Sequence, residues 1–350
     1  MVLLIPTLAL ASWSLFHFYS LFADGSWYYL QRQTIWIVSG LGLLLLFSHL
    51  PATVWPKLSP IGYLIALTLL GVVIAKGTII YGAQRWLDMG FLGFGGQPSE
   101  FAKLALIMLL ARVLSERDKI QWWLVLFSLA LILVVAGIIA MQPDLGTAAI
   151  VLIIGSIMLF VSGINVRKIA ILMGGFAGLV PIIYFLLLRP YQKMRILTFL
   201  EPSKDPLGAG WSTLQSKIAL GSGGLLGQGL GGAAHTRLRY LPQPYTDFIF
   251  ASIGEEWGFI GIILIMAAFT IIMIRGIFLA LRSNNDFAGL FAVGFISLLA
   301  LQASINMAMV SGILPVTGVP LPLLSYGGSS ILLFLSGMGI LLSLAREEKH

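Results

Sequence analysis

Long apolar segments, separated by short polar or glycine- and proline-rich breaks, dominate the chain from one end to the other. A helix crossing a bilayer needs about 20 mostly apolar residues. Segments of roughly that kind lie at 2–22, 34–50, 61–75, 100–114, 122–141, 145–161, 169–188, 257–274, 287–309 and 323–344. The pattern predicts an all-α integral membrane protein with about ten transmembrane helices, forming one polytopic unit over residues 1–350. The first segment superficially resembles a secretory leader. However, no Lys or Arg precedes it and its apolar run is longer than a leader's core, so it reads as the first membrane helix.

One connection stands apart. Residues from about 189 to 256 separate the seventh and eighth segments, far more than a simple turn requires, and loops of that length are functional or disordered. Short-loop charges set the orientation. With the N-terminus in the cytoplasm, the cytoplasmic loops carry Lys57, Arg112, Arg117, Lys119, Arg167, Lys168, Arg275 and Arg282, and the tail adds Arg346 and Lys349. The short loops on the other side carry Arg32, Lys76 and Arg85. Both termini are therefore expected in the cytoplasm, with the 189–256 loop extracytoplasmic.

Composition agrees. Hydrophobic residues are 58% of the 350 and charged residues 10%, with a mean hydropathy of +0.97. A soluble domain carries about 25% charged residues. The net charge of +7 points to anionic lipid or an anionic substrate, and no basic tract has the aromatic interleaving of a nucleic-acid site. The chain has no cysteine, which excludes disulfides, thiolate metal sites and a cysteine nucleophile. His17, His49, His235 and His350 show no metal-binding spacing.

Charged groups at membrane depth are costly, and they mark candidate chemistry. Glu100 and Lys103 are three apart on one helix face and can pair, either as a structural ion pair or as a polar cluster beneath a cavity. Asp144 follows Gln142-Pro143 and precedes an apolar run, so it can cap the sixth helix, face a cavity, or do both. Asp247 lies where the long loop returns to the bilayer and reads as a cap for the eighth helix or as a catalytic carboxylate. Glu255 and Glu256 are adjacent like charges, and at least one is expected to face solvent. The tract Gly221-Ser-Gly-Gly-Leu-Leu-Gly-Gln-Gly-Leu-Gly-Gly232 has no Walker lysine. It reads as a flexible turn, or as a backbone cradle for phosphate.

The ordered motifs Gly82-Ala-Gln-Arg-Trp-Leu87, Gln97-Pro-Ser-Glu-Phe-Ala-Lys103, Gln142-Pro-Asp-Leu-Gly-Thr147, Asp205-Pro-Leu-Gly-Ala-Gly-Trp211, Gln215-Ser216, Gly221-Ser-Gly-Gly224, Thr246-Asp-Phe-Ile-Phe-Ala251, Gly254-Glu-Glu256 and Pro322-Leu-Leu-Ser-Tyr-Gly-Gly-Ser-Ser330 resemble the SEDS family of membrane peptidoglycan polymerases, which includes RodA and FtsW. The run from Leu314 to Pro322 looks more like RodA, the elongation member. Gln243 and Ala233-Ala234 depart from the usual pattern.

The resemblance implies a glycosyltransferase that joins lipid II into β-1,4 glycan strands during cell elongation and releases undecaprenyl diphosphate. It implies Asp247 as the catalytic aspartate, with Glu100, Lys103 and Asp144 as supporting polar positions. Its partner would be a class B penicillin-binding protein, in the bacterial cytoplasmic membrane. Transfer from an α-linked diphosphate with inversion needs one base, provided cations hold the leaving group. Candidates for that role are Arg189, Lys193, Arg195 and Lys217, with Gln215 and Ser216 beside them, or a divalent cation such as Mg or Mn. A lipid II flippase and a non-catalytic scaffold for a transpeptidase are the competing classes. Transporters place their key groups near the membrane midplane, whereas Asp247 is expected at the membrane's edge.

Overall fold

The computed structural model describes residues 2–22, 27–80, 83–88, 95–115, 122–164, 190–201, 208–238 and 240–347. Its helices are α1 (Leu4–Leu21), α2 (Tyr28–His49), α3 (Val54–Lys76), α4 (Pro98–Ser115), α5 (Trp122–Met141), α6 (Leu145–Val161), α7 (Pro190–Leu200), α8 (Ala209–Ser222), α9 (Ala234–Arg237), α10 (Ile249–Arg282), α11 (Asp286–Val310) and α12 (Gly328–Glu347). Among the described residues, helices coincide with nine of the ten apolar segments. The remaining segment, 169–188, lies outside the described residues, as do Arg117, Lys119, Arg167, Lys168 and Lys349.

Seven of these helices are long and apolar enough to cross a membrane. At 17 residues α6 is shorter, and α4 carries Glu100, Lys103 and Arg112, which lower its hydropathy. The lipid-facing character of the bundle is plain in α10. Phe259, Ile260, Ile263, Leu264, Ile271, Ile274 and Ile277 are all exposed, an arrangement stable only in a solvent of hydrocarbon.

Apolar tails do not drive helices together in lipid, so close packing must do it, and small residues permit that packing. A Cβ on Gly40 of α2 would run into Leu335 of α12, one on Gly328 of α12 into Trp36 of α2, and one on Gly339 into the backbone of Leu44. Gly276 seats Ile296 between α10 and α11, and Gly294 seats Ile107 and Met158 where α11 meets α4 and α6. These contacts make α4, α11 and α12 the inner helices: nearly every residue of α4 is buried, and α12 and α11 are buried over more of their length than the other candidate spans.

Three features refine or correct the sequence reading. First, the all-α bundle carries one small sheet that hydropathy did not place. A small antiparallel sheet of order β1-β2-β3, from Thr78–Ile80, Ala83–Asp88 and Gly95–Gly96, joins α3 to α4. Second, the stretch expected as loop from 189 to 256 contains α7, α8 and α9, and α10 begins at Ile249 rather than near 257. Hydropathy placed that start late because Glu255 and Glu256 interrupt the apolar run. Third, both glutamates are buried and neither faces solvent. Glu255 caps α9, accepting from the His235 N–H at 2.8 Å, the Thr236 N–H at 3.1 Å and the Thr236 hydroxyl at 2.7 Å. Glu256 accepts from Ser20 and lies 2.5 Å from His17 Nδ1 on α1.

The glycine tract packs against α10 at a break. Gly258 has φ 64° and ψ −161°, which only glycine adopts without cost. In an unbroken helix the N–H groups of 259 and 260 would reach the carbonyls of 255 and 256. Here the tract supplies all four partners. The Gln228 N–H donates to Glu255 O at 2.9 Å and the Gly229 N–H to Glu256 O at 3.1 Å. In return, Phe259 N–H donates to Gly224 O at 2.9 Å and Ile260 N–H to Leu225 O at 3.2 Å. A Cβ on Gly223 would meet the carbonyl of Gly254, so the approach requires glycine there as well. The tract is thus neither a flexible turn nor a phosphate cradle, because the amides of Gly224, Gly227, Gln228, Gly229 and Gly232 are committed to the protein's own carbonyls and that of Gly231 to Ser20 Oγ and Glu256.

Candidate active site

Asp247 stands two residues before α10. It does not cap that helix: the N-cap is Phe248, with no side-chain cap bond. Its half-buried carboxylate is therefore not committed to backbone amides, which would have lowered its basicity. The backbone is fixed instead. Asn306 of α11 donates from one amide nitrogen to Asp247 O at 2.9 Å and Val319 O at 2.8 Å. This brings the loop 311–327 alongside, and a Cβ on Gly318 would lie 3.6 Å from Asp247 Oδ2. Ser325 clamps the same junction by donating to Thr246 O at 2.7 Å. Burial pushes the Asp247 carboxyl up to about 6, against the pull of Arg195 and Arg85 and with the repulsion of Asp144 adding to it.

Asp144 fills the capping role read from the sequence. It caps α6, accepting from the Thr147 N–H at 3.2 Å and the Thr147 hydroxyl at 3.0 Å. Its other partners face inward: Arg85 Nη1 lies at 3.7 Å and Gln97 Nε2 donates at 3.4 Å. Arg85 of β2 also donates to the carbonyls of Gln142 and Pro143 at the mouth of α6. Beyond Asp144, Gly146 packs against the Thr317 carbonyl and Val319, so α6 and Asp247 flank the same strip of chain.

Beneath them, Lys103 Nζ donates to Glu100 Oε1 at 2.6 Å, with both side chains buried. Glu100 Oε2 has no hydrogen-bond partner among the described residues, and neither do Ser99 Oγ, Ser330 Oγ, both polar atoms of Gln302, or Asn306 Oδ1. Gln302 is two turns beyond Gly294 and one turn before Asn306, so it continues the α11 face that passes from α4 to Asp247. Buried polar atoms are ordinarily paired, so these open acceptors and donors give α4, α11 and the start of α12 a polar interior.

The basic candidates divide. Arg189 lies outside the described residues. Arg195 of α7 and Lys217 of α8 line one cavity of about 120 Å³ whose apolar walls include Phe199, Leu214, Pro315 and Val316. Arg195 Nη1 donates to Val316 O at 3.4 Å. The end of the Lys217 side chain crosses Gly312, which has φ 72°, so a Cβ there would displace it. Lys193 of α7 is not in the lining. Gln215 and Ser216 serve packing: both are buried, and Ser216 Oγ donates to Val310 O at 2.7 Å, tying α8 to the end of α11. No cluster of three His, Asp or Glu suited to a metal occurs among the described residues.

Arg85, Gln97, Gln302 and Asn306 were not singled out from the sequence. Arg85 and Gln97 sit within motifs that were legible, Gly82–Leu87 and Gln97–Lys103. Gln302 and Asn306 had a signal too, as amides four apart in an otherwise apolar helix.

The arrangement offers a half-buried carboxylate of raised pKa, a cationic pocket separated from it by the strip 316–318, and a polar interior below. That combination suits proton abstraction next to a departing anion. A family profile described as "Cell cycle protein" (FtsW, RodA, SpoVE) matches residues 1–350. The peptidoglycan glycosyltransferase MrdB of Escherichia coli K12 is 40% identical, with 91% of this chain and 86% of the relative aligned. Stage V sporulation protein E of Bacillus subtilis is 38% identical over 100% of this chain and 98% of its own length. Among solved structures, a chain of a peptidoglycan synthase complex that coordinates polymerization and crosslinking superposes with a TM-score of 0.84 at 32% identity, covering 99% of this chain and 97% of the other. The rod shape determining protein RodA of Thermus thermophilus superposes at 0.74 and 29%, with the same coverage.

Proposed function

Because the chain belongs to the SEDS family (FtsW, RodA, SpoVE), we infer that it is a peptidoglycan glycosyltransferase of the cytoplasmic membrane, polymerising lipid II into glycan strands. The observation that carries the site assignment is the uncapped Asp247 carboxylate beside the Arg195–Lys217 pocket. In the proposed reaction Asp247 takes the proton of the acceptor sugar's 4-hydroxyl as that oxygen bonds to the donor's anomeric carbon. The bond from that carbon to the diphosphate oxygen breaks, and the electron pair leaves with undecaprenyl diphosphate. Attack is in line and the configuration inverts. The leaving group thus lies on the face away from the base, as the strip 316–318 between pocket and carboxylate allows. Arg195 and Lys217 would bind the charge that develops there, where fixed cations act most strongly on the transition state.

Asp144 and Arg85 would hold the start of α6, whose Gly146 packs on the 317–319 strip, and tune Asp247. Glu100 and Lys103 would support the polar floor. The chain would act as one unit over residues 1–350, with ten spans, both termini cytoplasmic and the site outside. It would work during elongation with a class B penicillin-binding protein, which supplies crosslinking. The test is glycan formation from purified lipid II, with that partner present, comparing the chain with Asp247→Ala. Polymer from the parent and none from a folded variant supports the assignment. Equal polymer removes Asp247 from the chemistry, and none from either folded protein favours a flippase or a scaffold.

A further inference from the structure

The glycine tract holds three large apolar side chains in the open: Leu225 at 70%, Leu226 at 78% and Leu230 at 60% exposure. They lie within six residues on a backbone that cannot fold them away. Gly224, Gly227, Gly229 and Gly231 all have positive φ, and the tract is bonded at four points to the break in α10. A flexible loop could hide its leucines in water, but this one cannot.

The depth of the tip follows from α10. Its exposed apolar residues run from Phe259 to Leu281, about 33 Å at 1.5 Å per residue, with the exposed Arg275 near the end away from Asp247, where its long side chain reaches the interface. That length is close to the hydrocarbon thickness of a bilayer, about 30 Å. Phe259 and Ile260 therefore mark the edge of the hydrocarbon. They are also the residues whose N–H groups bond Gly224 O and Leu225 O. The tip is level with that edge and continuous with the lipid-facing surface of α10.

We propose that the glycine tract is an interfacial membrane anchor: Leu225, Leu226 and Leu230 enter the acyl boundary of the leaflet on the Asp247 side. The tract is pinned to Glu255 and Glu256, two turns into the helix that follows Asp247, so lipid contact at the tip sets the depth at which that carboxylate stands. The inference needs only that the bundle spans a membrane, and it is independent of the reaction assigned to Asp247.

The chain has no cysteine, so single labels can be placed directly. Leu225→Cys, Leu226→Cys and Leu230→Cys, each carrying an environment-sensitive nitrobenzoxadiazole group, are reconstituted in phosphatidylcholine nanodiscs. Ile263→Cys on the exposed face of α10 is the lipid control, and Asn284→Cys in the polar turn after α10 is the aqueous control. All five positions are surface residues, so the substitutions leave the packing intact. The expected result is blue-shifted emission at the three tip sites, with quenching by lipids spin-labelled high on the acyl chain and protection from iodide, as at Ile263. Emission and iodide quenching like those at Asn284 would overturn the proposal. Iodide accessibility that disappears only when a partner transpeptidase is added would also overturn it, and would assign the tip to that protein instead.

Discussion

An Asp247 carboxyl titrating near 6 makes the acid side of the pH profile diagnostic. A general base works only when ionised. With a pKa of about 6, roughly 9% of the carboxylate remains ionised at pH 5, against about 97% at pH 7.5, so turnover should fall about tenfold. An ordinary aspartate near 3.9 would lose under about a tenth of its activity over the same interval. The assay is the initial rate of glycan formation at saturating lipid II, with return to pH 7.5 to show that the loss is reversible. The causes of the shift give a second, signed test. Arg195 pulls the pKa down, so Arg195→Gln should move the acid limb to higher pH, each variant being normalised to its own plateau. Asp144 pushes it up, so Asp144→Asn should move the limb the other way. A single charge at a half-buried site is worth about 1 kcal/mol, so each displacement should be under about one pH unit. A profile flat to pH 5, or both variants moving the limb in one direction, would refute the assignment of Asp247 as the base.

Other consequences follow from the same geometry. A carboxyl whose folded pKa is raised favours the fold below its unfolded value near 3.9 and loses that advantage as pH rises through about 6. Asp247→Asn should therefore raise the thermal midpoint at pH 7.5 by an amount corresponding to about 1–3 kcal/mol, and the gain should shrink toward pH 4. Lys103→Met should cost about 3–5 kcal/mol by leaving the buried Glu100 carboxylate uncompensated, while Glu100→Gln with Lys103→Met should recover most of it. Polymerisation that stays lost in the folded double variant separates a functional pair from a merely structural one. Gly312→Ala should displace Lys217 and weaken apparent lipid II affinity about tenfold, with the fold retained by circular dichroism. His17→Ala should leave Glu256 buried without its imidazole partner and lower stability by about 3 kcal/mol, read as a lower thermal midpoint.

Much of this protein was legible in one dimension. Lipid as solvent imposes a local requirement, about 20 apolar residues per crossing, and a local requirement leaves a local trace. Hence α5 and α6 begin and end where the hydropathy does. Polar residues within or beside such segments are conspicuous for the same reason, as Glu100, Lys103, Asp144 and Asp247 are.

What the pattern could not show depends on pairs distant in sequence. Whether Asp247 capped α10 turned on whether its carboxylate met the first amides of that helix, and Phe248 occupies that position instead. Two adjacent glutamates look mutually repulsive until His17 and the amides after Ala234 are seen to divide them. The glycine tract looked loose because glycine permits many conformations. Only the broken hydrogen-bond ladder at Gly258, with its four orphaned groups, selects one. Hydropathy records what each residue requires of its solvent. The tertiary structure decides which buried polar group answers which, because a hydrogen bond is set by position in space and leaves no periodic mark on the chain.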